Sequence, residues 1–267
     1  MSQSPSFASL LAESETGQPF VYDEGDELSL MFDLKTVQSR MNKQHPNELI
    51  LGYTRSMLGF VLLQEDTHHI GMIGLGGGSL AKYCHHYLPT SQIAVAEISA
   101  AVIALAPQFA VPHSPRLQIS CADGGDWLPE RHAPFDVLLI DAYGPNGMPE
   151  RLASQTFFDT CRRQLRPDGV LVVNLWGSDP RFDSYYQRIR TSFHGATLAI
   201  GADHSANRIV YALASGRLPA NRLLQSRCRE RSAAHSVDLA KLGQRLSRAL
   251  QRHDGLEPGL PGPREGA

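Results

Sequence analysis

The feature that most constrains the fold is a short apolar run that breaks into glycines. Residues 70–73 are apolar, and the glycines that follow them are Gly74, Gly76, Gly77 and Gly78. Glu97 ends a second apolar run, 19 residues beyond the last of these glycines. A strand ending in glycines lets the backbone turn sharply and approach a ligand, while the next helix directs unpaired N–H groups at it. An acid about 20 residues further on can accept both hydroxyls of a ribose, so the spacing predicts a nucleotide site.

The arrangement of the glycines favours an adenosyl-sulfonium ligand over a nicotinamide cofactor. Dinucleotide sites favour G-x-G-x-x-G or a final alanine, and the residue at that last position is Ser79. The pattern G-x-G-x-G, typical of adenosylmethionine-type sites, fits Gly74, Gly76 and Gly78. A nicotinamide oxidoreductase stays a distant alternative.

Length, charge and cysteine spacing limit the partners. With 267 residues and 42% hydrophobic content, the chain can bury one α/β domain. A net charge of −2 gives no electrostatic argument that the protein binds nucleic acid. No apolar run approaches the ~20 residues of a membrane span, and the four cysteines lack C-x-x-C spacing. We therefore expect a reduced, cytoplasmic protein with a small-molecule partner and no membrane.

Two pairs of adjacent histidines resemble metal ligands but lack the rest of a site. His68-His69 and His85-His86 point in divergent directions along a strand or helix, and no acid or cysteine is spaced to complete a ligand shell. We expect surface histidines and no metal.

The apolar pattern predicts an α/β fold with a mostly parallel, methyltransferase-type sheet and a small N-terminal antiparallel β unit. Residues 20–22 and 28–32 form strand-like runs around a glycine turn, which indicates a hairpin. Helical spacing over 47–63 predicts a helix above the pocket. Strands and helices then alternate. The predicted strands are residues 70–73, 93–96, 117–120, 137–140 and 170–174, and the predicted helices begin at residue 79 or span residues 99–109 and 149–165. Such alternation is typical of βαβ crossovers. A turn at 166–169 and an antiparallel pair at 196–200 and 208–213 complete the sheet.

We divide the chain into five segments. They are a flexible N-terminus (1–17), a β-hairpin unit (18–46), a nucleoside-binding catalytic domain (47–216), C-terminal helices (217–252) and a disordered tail (253–267). Leucines at 239, 242, 246 and 250 predict an amphipathic helix packed on the body. We expect the basic residues of the tail from Asn221, Arg227 among them, to lie on a solvated helix face rather than on a binding arm.

Candidate site residues follow the strands, because ligands of open parallel sheets bind at the carboxyl ends of the strands. Asp123 follows the third strand and could accept from an adenine amino group or cap the helix through Trp127. Asp141 ends a wholly apolar strand, so it enters the pocket from a low-dielectric wall, where it could serve as a base or pair with a cationic substrate. Its alternative role is a cap for the next loop.

The ordered set of these residues resembles the spermidine synthase (polyamine aminopropyltransferase) family from about Val21 to Leu213. The resemblance rests on the following features, in chain order: the hairpin, residues 37–39, Tyr53, the glycine loop, residues 96–98, Asp123, the strand from Phe135 to Asp141, and Asn207-Arg208. It implies a Rossmann-like fold with an N-terminal β-domain, usually dimeric. It also implies transfer of the aminopropyl group of decarboxylated S-adenosylmethionine to an amine acceptor, with release of methylthioadenosine.

The resemblance also implies roles for single residues. Those it places around the nucleoside are Gln38, Gly74, Gly76, Gly77, Gly78, Glu97, Asp123 and Gly124, with Glu97 on the ribose and Asp123 near the adenine. Asp141 and Tyr53 would be catalytic, with Asp141 helping to deprotonate the amine. Such a base is needed because only a neutral amine has a lone pair for attack.

The sequence departs from the family at three positions that would bind cationic amines. The aspartate of the glycine loop is replaced by Gly76, the second acid of a D-x-x-D run by Gly144, and the Tyr-His pair by Tyr53-Thr54. A diamine acceptor therefore loses much of its charge complementarity, since each desolvated ammonium needs a partner.

Two alternatives stay open on the same scaffold. One is a methyltransferase-type enzyme that uses intact S-adenosylmethionine, although Met72 stands where many methyltransferases place an acid. The other is a non-catalytic nucleoside-binding relative, against which the retained Asp141 argues.

Overall fold

The N-terminal unit is a three-stranded antiparallel sheet. The computed structural model describes residues 14–34, 36–143 and 147–254. The strands pair in the order β1-β2-β3, with the bounds β1 (Phe20–Glu24), β2 (Glu27–Met31) and β3 (Val37–Asn42). β1 and β2 form the predicted hairpin, and Gly25 adopts φ +58° in its turn. β3 adds a strand that the sequence pattern does not predict, and it carries Gln38.

The main domain is built on a seven-stranded sheet with the order β6-β5-β4-β7-β8-β10-β9. Its strands are β4 (His69–Ile73), β5 (Gln92–Glu97), β6 (Leu117–Cys121), β7 (Phe135–Ile140), β8 (Leu165–Trp176), β9 (Thr197–Gly201) and β10 (Asn207–Leu213). β4 to β8 run parallel, and β10 pairs antiparallel with β8 and β9. The predicted fold class and its antiparallel closing pair are confirmed.

Helices cover both faces of this sheet. Their bounds are α1 (Gly52–Met57), α2 (Phe60–Leu63), α3 (Ser79–Tyr87), α4 (Ala100–Leu105), α5 (Gly124–Trp127), α6 (Gln155–Arg163), α7 (Phe182–Ser192), α8 (Asn221–Arg231) and α9 (Leu239–Asp254). Every residue of β7 is buried. Val137 and Leu139 join one apolar layer, and Leu138 and Ile140 join the other, because successive side chains of a strand point to opposite faces.

The helix predicted over 47–63 is wrong as a single unit. The structure has α1 and α2 instead, separated at Leu58 and Gly59. A Cβ atom at Gly59 would lie 2.4 Å from the Tyr211 hydroxyl oxygen. β10 therefore packs so closely on this segment that only glycine fits at the break.

Two other predicted helices are shorter than expected. The one at 99–109 ends as an α-helix at Leu105 and continues as a 3-10 turn that contains Pro107. The one at 149–165 splits into a 3-10 turn and α6, which begins where the Ser154 hydroxyl accepts the Phe157 N–H at 3.2 Å. α5 is the helix through Trp127 that Asp123 was expected to cap, whereas the sequence pattern does not predict α7.

The turn predicted at 166–169 lies inside β8 and not ahead of it. Leu165 pairs with Phe135 and Val170 with Val137, so the residues between them form an irregular stretch inside β8. The Arg-Pro-Asp-Gly signal marks a bulge here, because the strand resumes its pairing directly afterwards.

The C-terminal helices pack on the body of the protein. Leu239, Leu242, Leu246 and Leu250 of α9 are buried, which confirms the amphipathic helix. The prediction that the basic side chains are solvated is wrong for Arg227, which is buried and donates to the Leu63 carbonyl oxygen at 2.6 Å. Of the tail predicted from residue 253, all beyond 254 lies outside the described residues. In the described part of the chain, the helices are all too short or too polar to span a membrane.

Candidate active site

A cavity of about 560 Å³ opens at the carboxyl ends of the parallel strands, lined by residues of both the main sheet and the N-terminal unit. The predicted site residues that line it are Gln38, Tyr53, Gly74, Gly76, Glu97, Asp123, Gly124 and Asp141. The sheet topology thus brings together the ends of β4, β5, β6 and β7, as the sequence predicts.

The glycine loop after β4 turns through backbone conformations that favour glycine. Gly74, Gly76 and Gly78 have φ values of +95°, +52° and +71°. A Cβ atom at Gly74 would lie 2.1 Å from the Asp141 carbonyl oxygen, so this loop touches the end of β7. A Cβ atom at Gly77 would lie 2.7 Å from Ser39 Oγ. Gly77 and Gly78, which the resemblance places at the nucleoside, are not among the residues lining the cavity, and a Cβ atom at Gly78 would lie 2.4 Å from Val111 Cγ2.

Glu97 ends β5 and is held against the glycine loop. Its side chain is buried, and its two carboxylate oxygens accept the N–H groups of Leu75 and Ser99, each at 2.9 Å. Each carboxylate oxygen has a second lone pair, so both can still accept a hydroxyl from a bound ligand. The arrangement suits the predicted contact with a ribose.

Asp123 follows β6 and caps α5. Its Oδ1 accepts the Gly125 N–H at 2.7 Å, and the Arg151 guanidinium lies 3.6 Å away. The capping role left open by the sequence is thus present. Because Asp123 also lines the cavity and has a second oxygen, capping leaves room for a contact with an adenine. Glycine is required at Gly124, where a Cβ atom would lie 2.3 Å from Ile73 Cγ2.

Asp141 begins a chain of polar side chains at the ends of β7, β8 and β10. The Asn174 amide donates to Asp141 Oδ1 at 2.9 Å, and the Asn207 amide donates to Asn174 Oδ1 at 2.8 Å. Ser205 Oγ donates to Asn207 Oδ1 at 2.8 Å. This chain fixes the orientation of the carboxylate in the cavity wall.

Tyr53 approaches Asp141 from α1. Its hydroxyl lies between two acceptors, the Gln38 carbonyl oxygen at 3.4 Å and the Asp141 carboxylate. Tyr53 therefore joins the N-terminal unit to the catalytic candidate, and Asp141 is surrounded by the neutral donors Tyr53 and Asn174.

The pKa values of this group are shifted by burial. Burial raises the pKa of the Asp141 carboxyl, the negative charge of Glu97 adds to the rise, and the hydrogen bonds from Asn174 and Tyr53 oppose it. The pKa of the Tyr53 phenol is raised mainly by burial and further by the negative charge of Asp141. The phenol therefore stays protonated and can donate a hydrogen bond. A carboxylate whose pKa is raised is a stronger base than an ordinary aspartate.

Asn174 and Trp176 are among the lining residues that the sequence-based prediction of the site does not include. Asn174 could be recognised as the first polar residue after the apolar run 170–173, the same signal that identifies Asp141. Gly144, where the resemblance implies a second acid, lies outside the described residues. Across 14–34, 36–143 and 147–254, no group of three or more His, Cys, Asp and Glu side chains could hold a metal ion.

The fold and the cavity together define a Rossmann-like protein of the methyltransferase-type class. The family model for the spermine/spermidine synthase domain matches residues 51–187. The chain belongs to the spermine/spermidine synthase family, and the resemblance predicted from the sequence is confirmed.

Individual relatives agree with this assignment. A polyamine aminopropyltransferase of Neisseria meningitidis serogroup A is 34% identical over 87% of this chain and 90% of its own length. The crystal structure of a probable spermidine synthase from Corynebacterium glutamicum has a TM-score of 0.67 at 21% identity, over 92% of this chain and 95% of its own. Human methyltransferase-like protein 13, solved in complex with SAH, has a TM-score of 0.59 at 25% identity, over 75% and 93%. The last two show how widely this fold is shared.

Proposed function

We propose that the protein is an aminopropyltransferase of polyamine biosynthesis that uses decarboxylated S-adenosylmethionine as co-substrate and a small amine as acceptor. The observation that carries this proposal is the cavity in which Glu97, at the glycine loop, and Asp141, hydrogen-bonded by Asn174, face the same space. Relatives named polyamine aminopropyltransferase over most of the chain support it.

The nucleoside lies along the ends of β4, β5 and β6 in this proposal. Glu97 accepts the two ribose hydroxyls, Asp123 accepts from the adenine amino group, and Gln38 closes the site from the N-terminal unit. Gly74 and Gly76 allow the backbone to approach the ligand because they carry no Cβ atom.

The chemistry needs a base and correct positioning. Asp141 takes a proton from the acceptor ammonium, which frees the nitrogen lone pair. The neutral nitrogen attacks the carbon beside the sulfonium, a C–N bond forms, and the C–S bond breaks to release methylthioadenosine with a neutral sulfur. The positive charge moves from sulfur to the new secondary amine. Tyr53 and Asn174 hold Asp141 in place for this transfer.

Release of methylthioadenosine tests the proposal directly. The full chain is incubated with decarboxylated S-adenosylmethionine and a panel of amines, and in parallel with intact S-adenosylmethionine. We expect methylthioadenosine from the first donor. Adenosylhomocysteine from the second donor, without methylthioadenosine from the first, would identify a methyltransferase and refute the proposal.

The variant Asp141→Asn tests the catalytic assignment. Loss of a general base lowers kcat by roughly 10²–10⁴-fold, while nucleoside binding stays nearly intact because Glu97 and Asp123 are unchanged. The matched control is Asp66→Asn, the same chemical change at an exposed residue that does not line the cavity. Unchanged turnover in Asp141→Asn would remove Asp141 from the mechanism.

We further propose that the enzyme works in the cytoplasm as a homodimer and without a metal ion. Dimerisation is what the family resemblance implies, and the four free cysteines suit a reducing compartment. Light scattering of the purified chain tests the dimer: a monomer at assay concentration with full activity would contradict it.

A further inference from the structure

Arg151 is a charged residue of the cavity wall that the sequence-based site does not include. It belongs to the 3-10 turn Glu150–Ala153, which lies between β7 and α6 in the chain. It lines the cavity, and its Nη1 lies 3.6 Å from Asp123 Oδ1. A guanidinium therefore borders the place proposed for the adenine.

The guanidinium of Arg151 contacts two carboxylates at the start of α5. Nη1 donates to Asp126 Oδ2 at 2.9 Å, and Nη2 donates to Asp126 Oδ1, so this contact is bidentate. The same Nη1 is the atom that approaches Asp123 Oδ1. A bidentate pair of arginine and carboxylate fixes the plane of the guanidinium as well as its distance. Asp126 therefore sets where the positive charge of Arg151 meets Asp123.

Two contacts orient the Asp123 carboxylate, and both are made to Oδ1. The Gly125 N–H donates to Oδ1 at 2.7 Å, and Arg151 approaches the same atom. A Cβ atom at Gly125 would lie 2.8 Å from Arg151 Nε, so the glycine lets the guanidinium come close to this turn. A partial rotation of the carboxylate about its Cβ–Cγ bond would weaken both contacts. Oδ2 is therefore held in one direction and is available to a ligand.

The charge of Arg151 makes a direct contact with the donor unfavourable. Decarboxylated S-adenosylmethionine is doubly positive, with one charge on the sulfonium and one on the terminal ammonium. An unpaired guanidinium in the same cavity would repel both groups. The bidentate pair with Asp126 offsets this charge, so Arg151 can act on the nucleoside through Asp123 without opposing the donor.

We propose that Arg151 is a positioning residue of the nucleoside site: it fixes Asp123 so that Oδ2 accepts the exocyclic amino group of the adenine, and it thereby contributes to the selection of this base. The inference rests on the placement of the nucleoside in the proposed function. Because the Arg151 side chain is 55% exposed, its ion pairs contribute little to folding. Its removal should therefore change recognition of the base and leave the thermal melt unchanged.

Two nucleosides that differ only at the amino group test this role without turnover. They are methylthioadenosine and its 6-deamino analogue, which carries hydrogen in place of the exocyclic amino group. Calorimetry of the full chain should show that methylthioadenosine binds roughly tenfold tighter or more, because the analogue lacks a hydrogen bond to a charged acceptor. Arg151→Ala should reduce this preference by roughly threefold or more, Arg151→Lys should retain more of it, and Asp123→Ala should abolish it. Added to Asp123→Ala, the change Arg151→Ala should have no further effect on the preference.

The matched control is Arg166→Ala, at the opposite edge of the sheet. Arg166 Nε lies 2.9 Å from Asp136 Oδ1. Asp136 likewise accepts backbone N–H groups, those of His68 and His69. This variant should keep the wild-type preference. An unchanged preference in Arg151→Ala, an equal loss in Arg166→Ala, or equal binding of the two nucleosides to the unmodified chain would overturn the inference. Failure to release methylthioadenosine with any amine would refute aminopropyl transfer but not this role, because the binding is measured without a donor.

Steady-state kinetics separate positioning from a role in the chemical step. With putrescine as acceptor, Arg151→Ala should raise KM for decarboxylated S-adenosylmethionine, while kcat and KM for the amine stay near wild type. A fall in kcat with an unchanged KM for the donor would overturn the inference. Asp126→Asn should weaken binding of the doubly positive donor more than that of neutral methylthioadenosine, because Arg151 then presents an unpaired charge to the cavity. Equal weakening of the two would overturn the role assigned to Asp126.

Discussion

Replacing Gly74 by alanine tests how tightly the glycine loop is built against β7. Gly74 has φ +95°, and the new methyl group would lie 2.1 Å from the Asp141 carbonyl oxygen. A left-handed conformation costs an L-residue about 1–2 kcal/mol, and forcing an extra carbon into a packed site costs about 1–3 kcal/mol more. The expected loss in the free energy of unfolding is therefore about 2–5 kcal/mol.

Gly76→Ala is the matched control in the same loop. Its φ of +52° carries the same conformational cost, but the nearest atom to the new Cβ is Ser39 Cβ at 3.9 Å. We expect a loss of only about 1–2 kcal/mol. For a domain of this size, 1 kcal/mol corresponds to about 2–4 °C in Tm, so the two variants should differ by about 2–12 °C.

Urea denaturation followed by circular dichroism measures both losses, and methylthioadenosine release measures the effect on the site. Because the clash at Gly74 is with the backbone of Asp141, Gly74→Ala should also lower turnover more than Gly76→Ala does. Equal stability and equal turnover of the two variants would refute the close contact between the glycine loop and the end of β7.

Three further predictions concern the site and its support. Because the pKa of Asp141 is raised, kcat/KM should fall as the pH drops through that pKa, which lies above the ~3.9 of an ordinary aspartate; a kcat/KM that stays level down to the ordinary value would contradict the role of Asp141 as base. Gly52→Ala should lower Tm and turnover, because its Cβ atom would overlap the Asp203 carbonyl oxygen, whereas Gly201→Ala meets no atom within 4 Å and should match wild type in a thermal melt. Arg245→Ala removes a 3.0 Å ion pair to Asp203, whose loop lines the cavity, so KM for the amine should rise more than KM for the nucleoside. Urea denaturation should show a loss of about 1.5–3 kcal/mol in the free energy of unfolding. Equal rises in the two KM values would exclude the loop as a wall of the acceptor site.

The sequence was sufficient for the parts of the site that depend on local pattern. The glycines after β4, together with Glu97 and Asp141, follow apolar runs whose length and spacing predict strands, and the ends of parallel strands meet at one edge. Tyr53 was reached only through the family resemblance, because nothing in the spacing of α1 indicates that its hydroxyl lies beside Asp141.

The remaining parts depend on contacts between distant segments. Asn174 reaches Asp141 because β8 lies beside β7, and Asn207 reaches Asn174 because β10 lies beside β8. The order of strands in the sheet is not encoded in any single stretch of sequence. The break between α1 and α2 likewise depends on Tyr211, which approaches Gly59 from β10. Helical periodicity alone cannot reveal such a contact.

The most direct test of the nucleoside site is isothermal titration calorimetry of the full chain with decarboxylated S-adenosylmethionine and, separately, with NAD. We predict that the sulfonium nucleoside binds at one site per chain, that Glu97→Gln weakens this binding roughly tenfold or more through loss of a charged acceptor, and that Asp66→Asn leaves it unchanged. NAD should give no heat of binding. Binding of NAD without binding of the sulfonium nucleoside, or wild-type affinity in Glu97→Gln, would contradict the assignment of this cavity.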